Sequence, residues 1–588
     1  MNENKIAPEL LLMANTQPEL TQDEFSAQFS PLGAVADTTA KPERVIVFIE
    51  CDEQADFSDL AGEGIRVNED SGTVRTAFLP VNKLQILSDS PGVNYIAPTR
   101  KLNFLMDRAA DAVRLPQLRQ PSNLSGKGVI IGIIDSGIDP RHPAFKRRVL
   151  RIWDQTLTGP GVLEGRYGIE LTGRMKEVSR DTVGHGTHVA GIAAGKDGVF
   201  GGIAPKAKLI IVKSDLNDGH IADAVRYIFR IASELDRPAV INMSFGSHFG
   251  PHDGSDYLSG KINEHSGPGR IICCAAGNEG DFDIHARVKL SENQTQEIRF
   301  DVSPFMGFTV INGWYREPDK VEIALRSPEG HETAFFPPES IQRGILGSSD
   351  SYQFFLPKLL ESNGDHRFEI RFTPALRMVT STWTLLLRGK KVVNGYADLW
   401  LYGNRRDNNP THPSDLSIID GVQDNTKVGE PATAANAITV GSYTTRESWQ
   451  DIDGSSQSND QLLHDVSTFS SEGPLRNGAE KPDVLAPGAV IVSALSSDSS
   501  LPNKFKIQSN GSTYAVLQGT SMATPFVTGL VALILERNPN LNPAEIKQIL
   551  RNASTIPGEV TRAFDAKWGY GLLDCARLAN ILESECVN

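Results

Sequence analysis

The run Val129-Ile130-Ile131-Gly132-Ile133-Ile134 contains no polar residue and no two-residue alternation. A strand of that composition needs both faces covered, as in a parallel sheet layered between helices. Similar runs return at 209–212, 240–243, 271–275 and 437–440, with a helical pattern at 221–233 between two of them. Strands alternating with helices predict an α/β fold built on a doubly wound parallel sheet.

That rhythm stops between about 281 and 411. Short, aromatic-rich segments at 297–302, 321–326, 368–372, 382–387 and 395–402 replace it, separated by turn signals such as Ser327-Pro328-Glu329-Gly330. The pattern predicts an antiparallel β-sandwich of jelly-roll character, inserted because α/β signals resume after it. Ahead of the α/β region, strands at 45–49, 73–79 and 92–97 and helices at 55–61 and 81–87 predict a compact ferredoxin-like unit. A flexible segment, 98–126, follows. The expected domains are 1–43, a flexible start; 44–103, the small unit; 104–280 and 412–588, the two parts of the α/β domain; and 281–411, the insertion. A chain of 588 residues is long enough for several cores.

Net charge is −14, which argues against nucleic acid or an anionic membrane as the main partner. The basic run Lys146-Arg147-Arg148 with Arg151 is too short to reverse that and reads as a solvated loop. Five cysteines, two of them adjacent at Cys273 and Cys274, do not make a disulfide framework, so free buried thiols are expected. The first 16 residues lack a cationic start followed by a long apolar stretch, so no classical signal peptide is seen, and the cytoplasm or a non-classical export route is expected. No apolar run reaches the ~18 residues needed for a transmembrane segment.

Three motifs carry chemistry. Ile134-Asp135-Ser136-Gly137 places a carboxylate at the C-terminal end of a buried strand, the edge where open α/β sheets bind ligands; turn capping explains a lone Asp there equally well. Gly184-His185-Gly186-Thr187-His188 puts His185 at a tight helix start. His185 and His188 lack the intervening Glu and third ligand of a zinc motif, so no metal is expected, and His188 reads as a packing residue. Gly519-Thr520-Ser521-Met522-Ala523-Thr524-Pro525 puts Ser521 at a helix N-terminus, where backbone N–H groups favour developing negative charge; alone, it reads as a capping serine. Pro525 is expected within the first turn.

Taken together, in the order Asp, His, Ser, these motifs resemble the subtilases, the subtilisin-like family S8 serine peptidases, over about 126–278 and 428–578. The resemblance implies a serine endopeptidase acting on protein or peptide substrates, with Asp135, His185 and Ser521 as catalytic triad. Cys274-Ala275-Ala276-Gly277-Asn278-Glu279-Gly280 resembles the family segment whose Asn supplies an oxyanion donor, which makes Asn278 catalytic and Ala276 and Gly277 substrate-binding. Met243-Ser244-Phe245-Gly246 resembles the strand that pairs with extended substrate, with Ser244, Phe245 and Gly246 the contacts. The 44–98 unit resembles the family's inhibitory propeptide, which implies an intramolecular inhibitor removed by self-cleavage between Thr99 and Arg108. A calcium site common in the family is not expected, because Ala144 stands where an Asp ligand would and the loop Lys196-Asp197-Gly198-Val199-Phe200 is short. No cofactor is implied. The insertion and Ile152-Trp153-Asp154-Gln155-Thr156 resemble the Csp-like subgroup, in which a jelly roll stabilises the peptidase. A subtilase-fold scaffold without catalysis is the rival reading, and the intact triad speaks against it.

Overall fold

The structure, a computed structural model, describes residues 5–6, 10–11, 13–14, 34–35, 44–67, 73–98, 113–357, 363–407, 412–509, 511–559 and 563–584. The chain divides into two compact units, 1–104 and 105–588.

In the first unit Val45, Val47 and Ile49 are buried at every second position of the strand Arg44–Cys51, the two-residue period of a sheet with one covered face. This strand pairs antiparallel with Val93–Pro98 on one side and Val74–Pro80 on the other, and Arg66–Val67 pairs with the latter. Leu84 and Leu87, on the helix Leu84–Asp89, pack in the same core. The first expected helix is instead a 3-10 segment, Ser58–Glu63, stopped by Gly64 at φ 77°. So few residues with one buried apolar side chain do not sustain an α-helix. The expected cleavage window, 99–108, lies outside the described residues.

The second unit is organised by a ten-stranded sheet. Its longer parallel strands are β1 (Ile130–Asp135), β2 (Val149–Asp154), β3 (Lys208–Lys213), β4 (Ala239–Met243), β5 (Arg270–Ala275), β6 (Ile438–Thr444) and β7 (Val484–Ala489), ordered β7-β6-β5-β4-β1-β3-β2, with the short Leu572–Leu573 parallel to β7. Helices α1 (His185–Ala194) and α3 (Thr520–Arg537) share one apolar cluster with the sheet. Helix α2 (Asp218–Glu234) covers the other face through Ile221, Val225, Ile228 and Ile231. Covered on both sides, β1 and β4 are buried at every position, as their unbroken apolar runs require. β1 lies between β3 and β4, so consecutive parallel strands leave it in opposite directions and a crevice opens at its C-terminal end.

Residues 285–418 form two antiparallel sheets over a shared core that includes Phe300, Phe354, Phe368, Trp383 and Leu385. One contains His285–Lys289, Tyr396–Arg405, Met306–Arg316, Asp365–Thr373, Asp350–Leu356 and Ser340–Leu346. The other contains Lys320–Arg326, Ser381–Lys391, Thr295–Val302 and Leu416–Ile418. The first sheet meets the α/β part through polar side chains, with the Trp400 indole N–H donating to the Thr426 carbonyl at 2.9 Å.

Of the basic run, Lys146 and Arg147 are exposed as expected, but Arg148 is not. Arg148 is 7% exposed, and its guanidinium donates to the carbonyls of Ala144 and Ala194, the latter the last residue of α1. A cation there meets the negative end of the helix dipole and satisfies buried acceptors. Arg148→Met leaves the Ala194 carbonyl without that donor, while Ala144 keeps the Lys196 N–H at 3.0 Å, and is expected to cost about 1–3 kcal/mol, read as a lower urea midpoint, with Arg148→Lys falling between. An unchanged midpoint would assign the arginine no structural weight.

Among the described residues no helix is long and apolar enough to cross a membrane. Cys51, Cys273, Cys274 and Cys575 are buried.

Candidate active site

Asp135 ends β1 and is 3% exposed, with its Oδ1 accepting the Ser136 backbone N–H at 2.7 Å. His185 opens α1 and donates from Nδ1 to Asp135 Oδ1 at 2.8 Å, with Oδ2 at 3.0 Å. So close a meeting of helix and strand end demands glycine at 186. A Cβ there would stand 2.2 Å from the Gly137 carbonyl oxygen. Burial pushes the His185 pKa down, but the Asp135 carboxylate, helped by Asp181, more than reverses this and leaves it raised above the ordinary imidazole value.

Asp181, fully buried, fastens the two segments. Its Oδ1 accepts from the Ser136 hydroxyl at 2.9 Å and the Gly184 N–H at 2.8 Å, while Oδ2 accepts from the Thr187 N–H at 2.9 Å and its hydroxyl at 2.6 Å. Ser136 Oγ accepts the Gly186 N–H at 2.9 Å. Sequence reading missed this residue, whose only signal is a lone Asp four positions before His185. Asp181→Ala is expected to lower kcat/KM about 10–100-fold by loosening the Asp135–His185 pair. The acid limb of the pH profile should also move to lower pH, because a carboxylate that raises His185 is gone. A profile unmoved in position would show that Asp181 does not act through the imidazole.

Ser521 is the second residue of α3. Its hydroxyl donates to the Ser244 carbonyl at 3.0 Å rather than to the imidazole. Pro525 lies inside α3, past the first turn where it was expected. Lacking an N–H, it cannot take the helical bond from the Ser521 carbonyl. The Ser244 hydroxyl takes that place, donating to the Ser521 carbonyl at 2.8 Å, so Ser244 and Ser521 are joined twice.

Asn278 follows β5. Its Oδ1 accepts from the Thr520 N–H at 2.8 Å and the Thr520 hydroxyl at 3.0 Å, which turns Nδ2 away from Thr520. Gly519, at φ 144°, keeps a small space clear: a Cβ there would stand 3.3 Å from Asn278 Nδ2 and 3.6 Å from the Ser521 backbone N. Two donors therefore border one opening. Gly277 is held on the same loop, its carbonyl accepting from the Thr520 hydroxyl at 3.1 Å. Ala276 is fully buried and both its backbone groups are engaged internally, with the Val440 carbonyl and the Gly429 N–H, so it holds the loop rather than offering a contact.

The backbone groups of Phe245 and Gly246 meet no partner among the described residues. Both residues border a chamber of about 390 Å³ lined also by Leu216, Ile221, Tyr257 and, from the 285–418 sheets, Trp314. His188 is fully buried, with Nε2 within 3.1 Å of the Ile491 carbonyl and 3.0 Å of the Ala515 carbonyl, and burial drops its pKa to about 3. Among the described residues no three His, Cys, Asp or Glu side chains group as metal ligands.

The subtilase family matches this chain over residues 126–302 and 399–571. The serine protease AprX of Bacillus subtilis is 24% identical over 80% of this chain and 71% of its own length. The subtilisin-like protease SBT2.6 of Arabidopsis thaliana is 23% identical over 84% of this chain and 67% of its own. The structure of the Clostridium perfringens CspB protease superimposes with a TM-score of 0.65 at 24% identity, covering 82% of this chain and 98% of that one, a likeness of fold.

Proposed function

We propose, from the premise that this chain belongs to the subtilase family of serine endopeptidases, that it hydrolyses peptide bonds through Asp135, His185 and Ser521 by way of an acyl-enzyme. The support for these roles is that Asp135 and His185 are hydrogen-bonded at 2.8 Å, and that the helix start bearing Ser521, with Asn278, offers two N–H groups to a single opening.

With Nδ1 donating to Asp135, the His185 tautomer leaves Nε2 free to accept. Rotation about the Ser521 Cα–Cβ bond moves the hydroxyl from the Ser244 carbonyl toward that nitrogen. Nε2 takes the proton as Oγ attacks the substrate carbonyl, and the resulting oxyanion lies against Asn278 Nδ2 and the Ser521 N–H. The imidazolium, stabilised by Asp135, returns its proton to the leaving amine, and water repeats the sequence on the acyl-enzyme. Substrate backbone adds alongside Phe245 and Gly246, whose polar groups await an extended partner.

The 44–103 segment is read as a propeptide that inhibits the enzyme until self-cleavage between Thr99 and Arg108. Its support is the strand order, Val93–Pro98, Arg44–Cys51, Val74–Pro80, Arg66–Val67, that of a ferredoxin-like sheet. The 281–411 segment is read as an inserted β-sandwich of jelly-roll character. Its support is that strands from Thr295–Val302 to Leu416–Ile418 pass repeatedly between the two sheets, and that the family match pauses between 302 and 399.

A fluorophosphonate probe tests the chemistry. Adduct mass on the peptide containing Ser521 is the expected result, and the scaffold reading requires no labelling. N-terminal sequencing tests the processing: the wild type should start within or just after 99–108, while Ser521→Ala should keep its original start. Trimming of both would mean another protease does the work.

A further inference from the structure

We infer, on top of the peptidase reading, that His248 and Asn312 are positioning residues for the oxyanion hole, so that the inserted sandwich sets the geometry of the step it does not touch. The joint is Glu279. Its Oε2 accepts the Asn278 backbone N–H at 2.7 Å and the Ser471 hydroxyl at 3.3 Å, and His248 Nε2 lies 3.2 Å from the same oxygen. Ser471 Oγ in turn accepts the Glu279 N–H at 3.1 Å. Burial alone pushes the Glu279 carboxyl up, and the hydrogen bond and charge of His248, with the Asn278 N–H, bring it below the ordinary range, so it stays an acceptor. The backbone of Asn278 is thus held by a carboxylate that an imidazole holds in place.

What holds the imidazole comes from the insertion. Asn312, fully buried on the strand Met306–Arg316, donates from Nδ2 to the carbonyls of His248 at 3.1 Å and Gly250 at 2.7 Å. Its Oδ1 accepts the Trp314 indole N–H at 3.0 Å. Every polar atom of a buried amide is used, which fixes one orientation and, through it, one course for the loop 247–250. The rings continue the same support: His248 stacks on His252 at 5.2 Å, His252 on Trp400 at 4.0 Å with 9° between planes, and Trp400 on His285 at 4.7 Å. Trp400 and His285 also belong to the insertion. An insertion that served only as ballast has no need of a satisfied buried amide aimed at this loop.

The test is steady-state kinetics on the processed protein with a peptide substrate. His248→Ala and Asn312→Leu are each expected to lower kcat about tenfold or more with KM within about twofold, because the hole acts on the transition state. His248→Gln, whose amide still donates toward Glu279, should retain most of kcat. The double variant should fall little below the worse single one, since both act through one joint. Unchanged kcat in His248→Ala, or a loss that His248→Gln shares fully and that follows the thermal midpoint, would overturn the inference. If Asn312→Leu does not fold, the His248 pair decides alone. A wild type that neither cleaves nor labels at Ser521 would remove the peptidase reading itself, an outcome distinct from a cleaving wild type whose His248 variants match it.

Discussion

Replacing Ser521 by Ala is expected to reduce kcat on peptide substrates on the order of 10⁶-fold, the loss subtilisin itself suffers when its nucleophile is removed. Replacing His185 in the same protein should then cost almost nothing more. The triad acts as a unit: without an Oγ to deprotonate, a base has no proton to take, and without a base the hydroxyl is a poor nucleophile at neutral pH. Asp135→Asn is the more informative partner. It keeps the shape of the β1 end but reverses the hydrogen-bond demand on His185 Nδ1, favouring the wrong tautomer, so a loss of about 10⁴-fold is expected. The same logic fixes the sign of the pH dependence. His185 works as a base only when neutral, and its pKa is raised because Asp135 outweighs burial. Activity in the wild type should therefore fall on acidification through a value above that of free imidazole. Active-site titration beside the kinetics separates a lost step from lost protein. A Ser521→Ala protein that retained more than about a thousandth of wild-type turnover would be using another nucleophile.

The large features were legible because they rest on residue chemistry that tolerates one arrangement. The apolar runs of β1, β3, β4 and β5 must lie under two helical layers, and they do, within a residue or two of the expected bounds. Strands whose chemistry is mixed were missed. β2 contains Arg151 and Asp154, and Met306–Arg316 shows no alternation because its outer face, bearing Asn312 and Trp314, is as covered as its inner one. Of the candidate site, Asp135, His185, Asn278 and Ser521 were named through motifs, and they stand at or just past strand ends and at helix starts. What the motifs could not show depends on residues far apart in the chain. Asp181 matters because four donors converge on it, and Arg148 because two carbonyls do, and neither convergence leaves a trace in spacing.

Asn278→Ala is expected to lower kcat about 10²–10³-fold, or roughly 2.7–4 kcal/mol of transition-state stabilisation, with KM little changed. In the proposed mechanism the Nδ2 of Asn278 meets the tetrahedral oxyanion rather than the planar substrate carbonyl. Its loss is thus felt in the step and not in binding. Asn278→Asp should be worse than Ala, because a carboxylate places charge where charge develops. Gly519→Ala offers an independent approach to the same space. Its Cβ would stand 3.3 Å from Asn278 Nδ2 on a backbone at φ 144°, so the side chain both strains the turn before α3 and crowds the hole while leaving both donors in the sequence. A fall in kcat for Asn278→Ala and Gly519→Ala alike, with Ser521 still countable by a slow titrant, would locate the oxyanion between these groups. A rise in KM at constant kcat for Asn278→Ala would instead make Asn278 a residue that grips substrate in its ground state, and the hole would have to be sought elsewhere around the Ser521 N–H.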